Sequence, residues 1–210
     1  MPGFSHEGRK NGEFLESLWP ALKENKEISL VEALCYDEGT PTIRHISEYA
    51  ERLAKIIERE RPDGIIAHSM GGLALIKALG ILNEKQIYWK GKIVFVETPF
   101  NGAPKWKLKY TGFPVNTPAV RDMFRNSGFM QMLNFSVLKD CQVLCILGAF
   151  SNVCFGIIGW LAKPVMDPHK RFIAPQVYQY PKIEHNELLQ DKRVASDIDI
   201  FLLFGGFPVP

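Results

Sequence analysis

Ala67-His68-Ser69-Met70-Gly71-Gly72 follows the short apolar run Gly64-Ile65-Ile66 and opens an apolar, helix-favouring stretch from Leu73 to Leu79. At such a strand–turn–helix junction a serine hydroxyl is held up on a sharp elbow, where it can serve as a nucleophile. The elbow pattern is Gly-x-Ser-x-Gly; this chain keeps the second glycine as Gly71 and has Ala67 in place of the first. Small flanking residues are needed because the turn brings the strand and helix backbones together at the serine, and alanine is the mildest departure from glycine. A serine beside a helix N-cap in an ordinary βα loop is the plain alternative. Six matching residues in the right context favour the nucleophile.

The elements that must position this serine alternate between two periods. Leu15, Leu18 and Leu22 suggest a first helix, kinked or shifted by Pro20. Ile28 to Ala33 reads as a strand. Thr40-Pro41 has the form of a helix start, and Ile43, Ile46, Leu53 and Ile57 then fall on one helical face that ends before Pro62. Gly64 to Ala67, Ile93 to Val96, Val143 to Leu147 and Gln176 to Tyr180 read as strands. Leu188 to Phe204 closes the chain with Leu189, Val194, Ile198, Phe201 and Leu202 as core contacts. Strands that are apolar throughout and alternate with helices predict an α/β fold, a mostly parallel sheet covered by helices on both faces. Between Ala103 and Asp140 a Pro-rich, aromatic, mildly basic insertion interrupts the alternation, with an amphipathic helix expected over Val120 to Leu133.

Length and composition set the outer bounds. With 210 residues the chain reads as one domain over 1–210, with residues 103–140 as a small helical cap or lid within it. A formal charge of +2 gives no case for nucleic acid as a partner. Cys35, Cys141, Cys145 and Cys154 show no metal spacing, and no glycine-rich phosphate loop is present, so neither a metal nor a cofactor is expected. Met1-Pro2-Gly3 leads straight into polar residues without a secretory pattern, and a cytoplasmic setting is the default. Gln142 to Ala162 carries no charge and approaches the length of a membrane span. A buried strand, a turn at Ser151-Asn152 and a second apolar segment broken by Gly156 and Gly159 account for it better, so a membrane surface is not the expected partner.

These motifs together resemble the α/β-hydrolase superfamily in its lipase and carboxylesterase branch. Ala67-His68-Ser69-Met70-Gly71-Gly72 is similar to the nucleophile elbow of small bacterial lipases, in which alanine also replaces the first glycine. Pro2-Gly3-Phe4-Ser5-His6 resembles the oxyanion loop, Glu97-Thr98-Pro99-Phe100-Asn101-Gly102 the Gly-Thr-Pro-x-x-Gly turn, and His185-Asn186-Glu187-Leu188-Leu189 the histidine loop before the last helix. The resemblance implies hydrolysis of a carboxylic ester, with a small-molecule ester or lipid as substrate.

Carried over by position, Ser69 is the nucleophile and His185 the general base, with His169 its one rival. A neutral hydroxyl attacks poorly, so a base must take its proton and later hand it to the leaving group. The acid is less plain. Gly148-Ala149-Phe150-Ser151-Asn152, where the resemblance places it, holds no carboxylate; Asp167 is the next and keeps the order Ser, Asp, His. Glu97 and Asn152 are the alternatives, and Asp167 before Pro168 also suits a plain turn. The oxyanion donors implied are the backbone N–H groups of Met70, at a helix N-terminus, and of Phe4.

The resemblance also implies strands ahead of the oxyanion loop that Met1 leaves no room for, so the fold is expected to lack its first strands. Either the sequence starts downstream of the true N-terminus, the favoured expectation, or Ile28–Ala33 pairs directly with Gly64–Ala67. Trp106, Leu108, Tyr110, Phe113, Phe124, Phe129, Met130 and Met132 are candidates for an acyl pocket or for the core of the insertion. An acyltransferase on the same triad and a catalytically silent binding fold are the competing functions.

Overall fold

The computed structural model describes residues 43–102, 116–148, 176–180, 183 and 187–205. Strands β1 (Gly64–His68), β2 (Lys92–Val96), β3 (Gln142–Leu147) and β4 (Gln176–Gln179) form a four-stranded sheet in sequence order. Every pairing is parallel, with Ala67 opposite Phe95, Phe95 opposite Cys145 and Cys145 opposite Val177. Alternation along the strands divides the core in two. Ile65, Ala67, Ile93, Phe95 and Cys145 pack with helices α1 (Ile46–Glu60) and α2 (Met70–Glu84). Val94, Val96, Leu144 and Ile146 pack on the opposite face with Leu188, Val194, Ile198 and Phe201 of the closing segment. Side chains at successive strand positions face opposite ways, so a strand apolar at every position requires cover on both sides. Helices on both faces of a parallel sheet are therefore what the patterning called for.

Helix α1 is amphipathic and buries Ile46, Tyr49, Ala50, Leu53, Ala54 and Ile57 on one side. It stops at Arg61, which takes the left-handed conformation (φ 46°) and donates its N–H to the Ile57 carbonyl, just before Pro62. Its start differs from expectation. Thr40-Pro41 lies outside the described residues, Ile43 is exposed ahead of the helix, and His45 is the N-cap. A local capping bond, His45 N–H to Glu48 at 3.2 Å, is joined by a tertiary one: Asp122, 76 positions further on, accepts the Ile46 N–H at 2.8 Å. Its carboxylate also meets His45 Nδ1 at 3.1 Å. A carboxylate at a helix N-terminus satisfies an orphan donor and suits the dipole. Asp122→Ala should lower stability by about 1–2 kcal/mol in urea unfolding. A loss confined to a few tenths would mean that water replaces the carboxylate freely.

The excursion between β2 and β3 corrects a second expectation. Val120 to Leu133 is not one helix. It is two short ones, α3 (Pro118–Asp122) and α4 (Gly128–Met132), followed by a 3₁₀ turn over Phe135–Leu138. Ser127 makes the break, accepting the Met130 N–H at 3.1 Å and donating to the Asp122 carbonyl at 2.5 Å. Val120, Met123, Phe129, Leu133, Val137 and Leu138 join the α1–α2 side of the core. Phe129 is thus a core residue, Phe124 and Met130 lie partly buried against that core, and Met132 is exposed. Trp106, Leu108, Tyr110 and Phe113 lie outside the described residues, as do the Leu15–Leu22 helix and the Ile28–Ala33 strand.

The last helix, α5 (Lys192–Phe204), begins at Asp191, which accepts the Arg193 N–H, and ends at Gly205 with φ 74°. Lys92 of β2 donates Nζ to the carbonyls of Leu202 at 2.6 Å and Leu203 at 3.0 Å. A cation at the carbonyl end of the helix thus joins α5 to the sheet.

Of the uncharged stretch, Gln142–Leu147 is β3, an interior strand, and residues 149–162 lie outside the described set. Among the described residues no helix is long and apolar enough to cross a membrane. Burial pushes the Cys145 thiol of β3 up to about 12. At about pH 8 it should resist iodoacetamide in the native chain and react only after unfolding, because the thiolate is the reactive form. Peptide mass mapping would show this, and rapid native alkylation at Cys145 would mean that β3 opens.

Candidate active site

Ser69 is the residue at which β1 becomes α2. Its φ of 52° and ψ of −126° lie far from both strand and helix, a conformation that a non-glycine residue holds only under constraint. The constraint comes from both sides. The Ser69 N–H extends the ladder by donating to the Val96 carbonyl at 2.8 Å, and the Ser69 carbonyl accepts the Gly72 N–H at 3.1 Å. The chain must therefore pass from sheet pairing to helix within one residue. Ala67, just before, is fully buried and faces α1 and α2, where a larger side chain would have no room.

The close approach of backbones falls at Gly72. A Cβ there would lie 2.0 Å from Thr98 Oγ1 and 2.4 Å from its Cγ2. The first turn of α2 is thus seated directly on the turn that follows β2. Thr98 is 1% exposed, and its Oγ1 has no hydrogen-bond partner among the described residues. Ser69 itself is 7% exposed. Met70 begins the helix and is fully buried. It belongs to the first helical turn, whose N–H groups have no carbonyl acceptor within the helix.

Beside Ser69, at the corresponding end of β2, stands Glu97. The strands are in register His68 to Val96, so the two residues leave the sheet side by side. Glu97 also has positive φ, 47°, and is 1% exposed. The glycine that the Gly-Thr-Pro-x-x-Gly resemblance implies at this position would take that backbone without strain; this chain accepts the strain with a glutamate. The turn closes at Gly102 (φ 62°), whose N–H bonds the Pro99 carbonyl at 2.8 Å. His68 follows the alternation of β1 onto the face opposite Ile65 and Ala67, and it is buried.

Of the residues singled out from the sequence, Ser69, Met70 and Glu97 stand together at the C-terminal end of the sheet. Phe4, Asn152, Asp167, His169 and His185 lie outside the described residues. Two described residues meet the end of β3: the Ile183 carbonyl oxygen and Leu188 Cδ1 would lie 2.8 and 3.0 Å from a Cβ on Gly148. The Asp122 cap and the Gly72–Thr98 contact were not anticipated. Ser127-Gly128 is a cap signal that would have divided the 120–133 helix, whereas nothing local marks Asp122 as a cap for α1.

No protein-family model and no curated sequence matches the chain. Solved structures do. RedJ, a Streptomyces coelicolor thioesterase of the prodiginine pathway crystallised with a PEG molecule in its active site, is 13% identical with TM-score 0.59, over 91% of this chain and 86% of its own. An α/β-hydrolase family protein from Desulfitobacterium hafniense is 12% identical with TM-score 0.54, over 95% and 98% of the two chains. The mature lipase BlEst2 of Bacillus licheniformis is 15% identical with TM-score 0.52, over 96% and 87%. At these identities the likeness is one of fold. The chain has an α/β-hydrolase-like fold.

Proposed function

We propose that this chain is a serine hydrolase acting on a carboxylic ester of a small molecule or lipid, with Ser69 as nucleophile, His185 as general base and Asp167 orienting the imidazole. The observation that carries the reading is the backbone of Ser69, a positive-φ residue between a parallel strand and a helix, wedged by Gly72 against Thr98. Strain of this kind costs about 1–3 kcal/mol and concentrates where a side chain must be presented in one orientation. In the reaction Ser69 Oγ attacks the ester carbonyl carbon while His185 takes its proton. The N–H groups of Met70 and Phe4 hold the oxyanion. Collapse expels the alcohol, which receives the proton from His185 and leaves an acyl-serine. Water, deprotonated by the same imidazole, then attacks the acyl carbon; the bond to Oγ breaks, the carboxylic acid leaves and His185 returns the proton to Ser69 Oγ. Residues 103–140 are read as a cap within one domain spanning 1–210.

The direct test is labelling of the purified chain with a fluorophosphonate, followed by intact mass and peptide mapping. A single adduct on Ser69 is the expected result. A folded chain that takes up no probe would favour the catalytically silent reading.

A further inference from the structure

With Asp167 as the orienting acid, Glu97 combines features that ester cleavage by Ser69 does not call for. A left-handed backbone and a buried carboxylate are each costly, and both occur in one residue. Glu97 Oε1 accepts the Gly148 N–H at 2.7 Å. Gly148 is also where separate parts of the chain converge. A Cβ there would lie 2.5 Å from Glu97 Oε1, 2.8 Å from the Ile183 carbonyl oxygen and 3.0 Å from Leu188 Cδ1. Only a glycine leaves room for the carboxylate, the Ile183 carbonyl and Leu188 together. On its other side Glu97 belongs to the ladder that holds the elbow. Ser69 N–H reaches Val96, and Glu97 N–H reaches Ile146 at 2.9 Å.

We infer that Glu97 is a positioning residue, whose carboxylate ties the end of β3 and the chain flanking residues 184–186 to the strand end beside Ser69. The inference rests on the reading of Ser69 and His185 as nucleophile and base, and it names the side chain that keeps their supporting elements in a fixed relation. In this role Glu97 touches no substrate and moves no proton. The property it needs is acceptance of the Gly148 N–H, which glutamine retains and leucine lacks.

The test compares the wild-type chain with Glu97→Gln, Glu97→Leu and Gly148→Ala, each checked for folding by circular dichroism. One readout is the rate of fluorophosphonate labelling at saturating and sub-saturating probe. The other is the NMR position of the Ile183 and Leu188 methyl groups. Glu97→Leu should lower the limiting labelling rate on the order of 10²-fold, as expected for a displacement of about 1 Å, with half-saturation little changed. Its methyl resonances should move, whereas Glu97→Gln should stay close to wild type in both readouts. Gly148→Ala should reproduce the leucine result with the carboxylate still present. If Glu97→Leu fails to fold, Gly148→Ala and Glu97→Gln decide the matter. Wild-type rate with unmoved methyls in the leucine variant would overturn the inference. So would a glutamine variant as impaired as the leucine one. A wild-type chain that does not label would refute the Ser69–His185 reading, and the methyl positions, which need no labelling, would still decide the role of Glu97.

Discussion

Replacing Ser69 with alanine should abolish fluorophosphonate labelling and lower ester turnover on the order of 10³-fold or more. The size of the effect follows from the chemistry: without Oγ there is no acyl-enzyme, and only binding and oxyanion stabilisation remain to accelerate attack by water. The fold should tolerate the change. Ser69 contributes its backbone to the elbow through Val96 and Gly72, and alanine keeps both bonds. Some cost arises because alanine, like serine, is strained at φ 52°. His185→Ala should reduce turnover to a similar extent, since the two groups act as a unit and their losses are not additive. Asp167→Asn separates the candidates for the acid. A heavy loss there assigns the orienting role to Asp167; an unchanged rate moves it to Asn152, or to Glu97 if Glu97→Gln is impaired as well, the outcome that overturns its positioning role. Turnover retained in Ser69→Ala would end the serine-hydrolase reading.

The second large effect concerns stability, and two glycines of one helix should respond with opposite signs. Gly80 lies inside α2, and a Cβ added there would have nothing within 4 Å. Gly80→Ala should therefore raise stability by about 1 kcal/mol, the helix-propensity difference with no packing penalty. Gly72 occupies the first turn of the same helix, but its Cβ would fall 2.0 Å from Thr98 Oγ1, 2.4 Å from Cγ2 and 2.7 Å from Cβ. Thr98 is buried and β-branched, so it has little freedom to turn aside. Gly72→Ala should lower stability by about 1–3 kcal/mol, the usual cost of overpacking, and should slow labelling at Ser69 because the elbow must shift. Thr98→Ala in the Gly72→Ala background should recover part of the loss by removing two of the three clashing atoms. Urea unfolding of the four variants gives the full cycle. A stabilising Gly72→Ala would show that α2 can slide away from the β2 turn.

Much of the architecture was legible because it rests on periodicity. Ile93-Val94-Phe95-Val96 is apolar at every position, and a strand can be so only when both faces are covered, as Phe95 and Val96 show by entering opposite halves of the core. The α1 face was legible in the same way from Ile46, Leu53 and Ile57. The helix boundaries were less so. The start of α1 depends on a carboxylate brought by a later helix, and the division at Ser127 was a local signal outweighed by the apolar spacing from Val120 to Leu133.

The candidate site divides along the same line. Ser69 between a short apolar strand and an apolar helix was readable from neighbours in the sequence, since strand, turn and helix are each set within a few residues. How the ends of β1, β2 and β3 are joined depends instead on long-range packing. The Gly72–Thr98 contact, the left-handed Glu97 and its bond to Gly148 link residues 26 or 51 positions apart. Such contacts depend on which strands pair and in which register, and no spacing within one segment encodes that. The sequence by itself determined that a serine would be held on an elbow at the end of a parallel strand. The packing of the sheet determined that a buried glutamate would stand beside it, because only parallel pairing in register brings those two strand ends together.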